Sequence, residues 1–289
     1  MGPEMMETAI TPSSEARPRG SDSTTRITDL FSKCRTESRK AFIAYLTAGD
    51  PSPEHTAPLV FALERGGVDL IELGVPFSDP IADGPVIQRA SDRALRAGIT
   101  LPKLLETVRE IRRQSQIPLL LFSYLNPLMR YGFERLARDA AAAGIDGVLL
   151  TDLCIEEAAE PVRSLRRAGL DTVFLAAPTS TERRLRLVAE HSSGFVYLVS
   201  RTGVTGEQSS VSEAAAPLTR RMRGLTHLPL AVGFGISRPE QVSEVARLAD
   251  GVVVGSAIVK CIEENGDSPG LSARVEAFTR HLTAPLRGA

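Results

Sequence analysis

The run Leu119-Leu120-Leu121-Phe122-Ser123 is followed by a stretch in which Leu136, Ala137, Ala140, Ala141 and Gly144 recur at helical spacing, and then by Gly147-Val148-Leu149-Leu150. It reads as strand, helix, strand. Both strand runs are apolar at consecutive positions, as strands of a parallel sheet buried under helices must be. The unit repeats along the chain. Further apolar or β-branched runs stand at Ala41 to Leu46, Leu70 to Leu73, Thr172 to Ala176, Gly194 to Leu198, Leu230 to Gly233 and Gly251 to Val254. Each precedes helix-patterned sequence, so eight units predict an α/β fold, a (β/α)8 TIM barrel forming one domain over residues 27–289.

A doubly wound open sheet is the alternative architecture, and it normally carries G-x-G-x-x-G after its first strand. Here the first strand runs into Thr47-Ala48-Gly49-Asp50-Pro51, which lacks that pattern. Strand starts at 70 and 119 lie 49 residues apart, against 21 to 36 elsewhere, so the second βα loop is enlarged. In a barrel that loop lies on the C-terminal face, where active sites sit, and Val75 to Gly98 is expected to form a lid or a partner contact.

Composition narrows the function classes. With 34 Lys plus Arg against 35 Asp plus Glu, the chain of 289 residues carries a formal charge of −1, so nothing points to nucleic acid or an anionic membrane surface. Cys34, Cys154 and Cys261 are odd in number and widely spaced, which argues for a reducing, cytoplasmic compartment and against a disulfide scaffold. No stretch approaches the roughly 18 to 20 apolar residues of a membrane span. Residues 1–26, rich in Ser, Thr, Pro, Arg and Glu without an apolar core, read as a disordered tail.

Chemistry is then sought at strand ends. Glu72 stands among core residues in Leu70-Ile71-Glu72-Leu73-Gly74. It is either a buried partner of an Arg on the next strand or a general acid/base whose pKa is lifted by apolar surroundings. Asp83, in Pro80-Ile81-Ala82-Asp83-Gly84-Pro85, is a second carboxylate or simply a helix-start residue ahead of Pro85. Three glycine clusters, Gly203-Val204-Thr205-Gly206, Gly233-Phe234-Gly235 and Gly255-Ser256, follow the sixth, seventh and eighth strands. Tight turns would explain each alone; together they suit a phosphate cradle, because backbone N–H groups reach a phosphate only where side chains are absent.

Other chemistries lack their residues. None of the four lysines, at 33, 40, 103 and 260, sits at the C-terminal end of a strand, which disfavours a Schiff base. His55, His191, His227 and His281 show no ligand spacing, so no metal site is predicted. What remains is carboxylate acid/base chemistry on a phosphorylated substrate that supplies its own electron sink.

The Thr47-to-Pro51 segment, Ile71-Glu72-Leu73-Gly74-Val75-Pro76-Phe77-Ser78-Asp79-Pro80-Ile81-Ala82-Asp83-Gly84-Pro85, Tyr124 with Asn126-Pro127, Ser200 with Gly203 to Gly206, and Gly233 to Ser237 together resemble the tryptophan synthase alpha chain family. The resemblance covers residues 27 to 285. It implies a lyase of tryptophan biosynthesis that cleaves indole-3-glycerol phosphate by a retro-aldol reaction, without a cofactor of its own. Glu72 is implied as the proton shuttle and Asp83 as the holder of the indole N–H. By the same resemblance Phe42, Ile87, Phe122, Tyr124, Thr151, Tyr197 and Phe234 line the indole pocket, and Gly206, Gly235 and Ser256, with Gly233 and Gly255 beside them, hold the phosphate. Thr205 is implied to close over the second loop.

The resemblance also implies a partner, the pyridoxal-phosphate-containing tryptophan synthase beta chain, in an alpha2beta2 tetramer that Pro76, Asp79 and Asn126 contact. Cys154 departs from the family, which commonly has Pro at that interface position. Three readings therefore stand: the alpha subunit, a stand-alone indole-3-glycerol phosphate lyase releasing free indole, and a catalytically weak regulatory subunit. Retention of both Glu72 and Asp83 speaks against the third.

Overall fold

The computed structural model describes residues 24–199, 211–233, 235–266 and 268–287. Its strand segments are β1 Ala41–Thr47, β2 Leu70–Gly74, β3 Leu119–Ser123, β4 Gly147–Leu150, β5 Asp171–Val173, β6 Leu175–Ala176, β7 Val196–Val199, β8 Leu230–Gly233 and β9 Gly251–Val254. All pairings are parallel, in the spatial order β5-β4-β3-β2-β1-β9-β8-β7-β6. Only Phe174 separates β5 from β6, so the ring closes through the chain itself and forms the expected TIM barrel.

Two strands differ from the sequence expectation by more than one residue at an end. The single fifth strand, Thr172 to Ala176, is two segments: Asp171 to Val173 pair with β4, whereas Leu175 and Ala176 pair with β7. Closing a barrel staggers the register, and at Phe174 the strand changes partners. The sixth strand starts at Val196 rather than Gly194, whose φ of +72° is left-handed backbone incompatible with a ladder.

Alternation along each strand divides the core into two layers. Ile43, Leu70, Leu120, Leu149, Phe195 and Val253 fill the barrel interior, while Phe42, Ala44, Leu46, Ile71, Leu73 and Leu121 face outward beneath the helices. The helix Arg26–Thr36 plugs the N-terminal mouth with Ile27, Phe31 and Cys34, Phe31 lying 5.6 Å from Phe195. That helix moves the expected tail boundary. Thr25 caps it, accepting the Thr28 N–H at 3.1 Å, and Arg26 pairs with Asp146 at 2.8 Å. Residues 1–23 of the expected tail lie outside the described residues.

One device recurs at the N-terminal end. Asp69, Asp146 and Asp250 each stand immediately before a strand and accept a backbone N–H from the neighbouring one: Phe42 at 2.8 Å, Leu119 at 2.9 Å and Leu230 at 2.9 Å. Asp146 is wholly buried and also takes Arg26 and Arg112, at 2.8 and 2.9 Å. A buried carboxylate persists only when so saturated with donors.

The enlarged second loop carries an extra helix, Pro85–Arg96, ahead of the covering helix Leu101–Arg112. Arg93 ties that extra helix down, donating to both carboxylate oxygens of buried Asp50 at 2.7 and 2.9 Å and to Glu263 at 2.7 Å. Among the described residues no helix is long and apolar enough to cross a membrane.

Candidate active site

Glu72 lies in the middle of β2, between the outward residues Ile71 and Leu73 and on the same face as interior Leu70. Its carboxyl therefore points into the barrel. It is 1% exposed, and Oε1 has no hydrogen-bond partner among the described residues, which removes the reading of Glu72 as an Arg partner. Burial alone pushes its pKa up to about 8. Such a carboxyl holds its proton at neutral pH and can give it away.

Asp83 arrives from the loop between β2 and the helix Pro85–Arg96. Tyr124, at the start of the helix Leu125–Tyr131, donates its hydroxyl proton to Asp83 Oδ2 at 3.0 Å and accepts the Ala82 N–H at 2.9 Å. The Tyr124 ring rests on Phe77 with centroids 5.2 Å apart. Thus one tyrosine from the third βα loop grips the second loop at three points. Burial lifts the Asp83 pKa to about 6, with the Tyr124 bond restraining the rise. Asp83 is consequently ionised at neutral pH while Glu72 is not, the separation that acid/base pairs require.

The remaining predicted residues fall into three groups. Ile87, Phe122, Tyr124 and Tyr197 are brought to the barrel mouth. Phe122 meets Tyr45 edge-to-face at 5.2 Å, Ile87 packs in the same cluster, and Tyr197 is buried near both Glu72 and Asp83, whose charges raise its pKa together with burial. Thr151 follows β4 and donates to the Ser123 carbonyl at 3.3 Å, facing a cavity of about 140 Å³ that Cys154 and Arg184 also line. Thr205, Gly206 and Phe234, with the rest of residues 200–210, lie outside the described residues.

Phe42 is not at this site. It lies in the outer layer, its N–H bonded to Asp69 at the N-terminal end, at the wrong parity for the interior. Tyr45, three residues on and thus on the opposite face, occupies the interior place instead. The sequence reading missed it because both faces of a barrel strand are apolar; the signal available was its even spacing from Thr47 at the strand's C-terminal end.

Gly235 has φ +75° with open space at its Cα, and Gly255 precedes the helix Ser256–Asn265, whose first residue, Ser256, is exposed. These are free backbone and a helix start, both suited to an anion. Gly233 plays a different part. A Cβ there would lie 2.2 Å from the Tyr197 hydroxyl, so the glycine makes room for the ring.

The tryptophan synthase alpha chain family model matches residues 31–285. The chain belongs to that family. A tryptophan synthase alpha chain from Solibacter usitatus is 64% identical over 258 residues, covering 89% of this chain and 97% of that protein. One from Geotalea uraniireducens is 52% identical over 263 residues, covering 91% and 98%. Among solved structures, tryptophan synthase from Mycobacterium tuberculosis superposes with a TM-score of 0.84 at 38% identity, over 92% of this chain and 100% of that one. A chain of the tryptophan synthase complex from Pyrococcus furiosus gives a TM-score of 0.76 at 39% identity, over 85% and 99%. As a member of the tryptophan synthase alpha chain family, the chain is a lyase of tryptophan biosynthesis.

Proposed function

We propose that Glu72 and Asp83 carry the retro-aldol cleavage of indole-3-glycerol phosphate to indole and glyceraldehyde 3-phosphate. The observation that carries this reading is the pair of carboxyls set apart in acidity at the barrel mouth, one buried with its Oε1 unpartnered among the described residues and one held by Tyr124. Protonated Glu72 gives its proton to C3 of the indole, making the ring an iminium. Ionised Asp83 holds the indole N–H and offsets the positive charge. The Glu72 carboxylate then takes the proton of the adjacent glycerol hydroxyl, the C–C bond breaks, and its electrons return to the ring. Protons balance, and the substrate ring is the electron sink, so no cofactor of this chain enters any step. Gly206, Gly235 and Ser256 hold the phosphate in this reading.

The chain works as the alpha subunit beside a tryptophan synthase beta chain, which carries the pyridoxal phosphate, in the cytoplasm. Around the mouth Ile81 and Met129 are 86% and 59% exposed beside exposed Asp79 and Asn126, an apolar and polar mixture that suits a partner surface. Cys154, also exposed, donates to Glu156 at 3.0 Å.

Indole release from indole-3-glycerol phosphate by the purified chain, with and without a beta chain, tests the reading. The chain has no Trp and four Tyr, so indole fluorescence rises over a low background. Slow release that the beta chain accelerates is expected. Release in neither condition overturns the assignment, and fast release alone points to a stand-alone lyase.

A further inference from the structure

Leu70 lies one layer below Glu72 on its own strand and Leu120 is its register partner on β3, so both neighbours are apolar. A donor to the ionised carboxyl therefore comes from its own level or from the mouth. Tyr45 is the register partner of Glu72 on β1 and faces the same interior. Its hydroxyl fills the space above Gly74, lying 2.1 Å from where a Cβ on that residue would stand. Gly74 follows Glu72 by two residues on the same face, about 6.6 Å along the strand. The hydroxyl thus sits on the mouth side of Glu72.

The ring is fixed in this place by its edge-to-face contact with Phe122 and by Ala90 and Val259. Thr47 Oγ1 donates to Tyr45 Oη at 3.4 Å, which directs the tyrosine's own proton elsewhere, and among the described residues no acceptor takes it. An unused donor and an unpartnered acceptor, Glu72 Oε1, therefore stand on adjacent strands, the donor on the mouth side of the acceptor. Burial, Asp83 and Glu72 all raise the Tyr45 pKa, so the hydroxyl keeps its proton throughout the working range.

We propose that Tyr45 is a positioning residue for the acid/base carboxyl, donating its hydroxyl proton to Glu72 whenever Glu72 is ionised and so aiming the carboxylate at the substrate hydroxyl. This rests on the reading of Glu72 as the proton shuttle. Among the described residues the titratable groups that Glu72 acts on are Tyr45 from β1 and Tyr197 from β7, and Asp83 from the second loop acts on the same two tyrosines. No cation is among them. A donor to the charged form lowers a carboxyl pKa, so losing Tyr45's hydroxyl raises that of Glu72 further.

Two measurements on the full chain test this. In Tyr45→Phe the alkaline limb of the kcat profile moves up by about one pH unit, the equivalent of a tenfold change in the ionisation equilibrium, while KM stays within about twofold. A 13C-NMR titration of the glutamate carboxyls, with the Glu72 signal identified by its loss in Glu72→Gln, shows the same rise without substrate. Should Tyr45→Phe unfold, Thr47→Val, which removes the group orienting the hydroxyl, gives a smaller rise. An unmoved Glu72 titration in the folded variants overturns the proposal, as does a rise seen in Tyr197→Phe but not in Tyr45→Phe. Full activity of Glu72→Gln instead overturns the shuttle reading itself, which separates the two failures.

Discussion

Tyr124 and Asp83 are joined by a 3.0 Å hydrogen bond that links the third βα loop to the second, and the same phenol oxygen accepts the Ala82 N–H at 2.9 Å. The Asp83 carboxylate thus has its orientation set by a residue 41 positions away. Because the donor favours the ionised form, it holds the Asp83 pKa near 6 against the upward pull of burial.

Activity requires Asp83 ionised and Glu72 protonated, so kcat follows a bell with limbs near 6 and 8. Tyr124→Phe removes the restraining donor, moving the acid limb upward by about half to one unit and narrowing the bell. A pH series of indole release checks this; an acid limb that stays in place contradicts the assignment of Asp83.

Glu72→Gln is expected to lower turnover by about a thousandfold or more, since one side chain serves both proton transfers. Its stability effect has the opposite sign. The folded-state pKa of about 8 exceeds the ordinary 4.5, so the folded chain holds a proton that the unfolded chain releases between those values. Burial of Glu72 therefore costs nothing below about pH 4 and up to about 3 kcal/mol by pH 7. The Tm difference between Glu72→Gln and the parent chain should grow in favour of the variant from pH 4.5 toward 8; a difference independent of pH is the contrary result.

Asp146 tests the N-terminal end. It gathers Arg26, Arg112 and the Leu119 N–H in a wholly buried position. Asp146→Ala leaves Arg112 and that N–H without this acceptor and should cost about 3 to 5 kcal/mol. Urea denaturation reads the loss, and the kcat of the remaining folded fraction should hardly change, because the carboxylate lies at the end opposite the site.

Gly74→Ala places a methyl 2.1 Å from the Tyr45 hydroxyl and 2.5 Å from its ring carbon. The ring must move, at a cost of about 1 to 3 kcal/mol, and its contact with Phe122 goes with it. Activity is expected to fall by at least tenfold while the far-ultraviolet circular dichroism stays that of the barrel; unchanged kcat shows that the ring's position is immaterial.

The strand runs were legible in sequence because a barrel strand must be apolar through and through, and seven of the eight predicted runs overlap a single strand segment. Glu72 stood out as a candidate because a carboxylate inside such a run breaks the local pattern, whereas Asp83 read equally as a helix-start residue and was singled out by the family resemblance. The choice between Phe42 and Tyr45 was not legible. They differ by an odd number of residues on a strand whose two faces are equally apolar, so only the closed barrel determines which one meets Glu72.

The same limit applies to the grip of Tyr124 on Asp83, the clamp of Arg93 on Asp50 and the ring of Tyr45 over Gly74. Each pairs residues from different βα units, and their meeting depends on strand order and stagger. Sequence alone determined the architecture from local pattern and residue type, and offered the two carboxyls as candidates whose roles the family resemblance implied. Tertiary structure decided which of them is buried and raised in pKa by desolvation and which is held by a donor, because desolvation and hydrogen bonding are properties of the assembled interior.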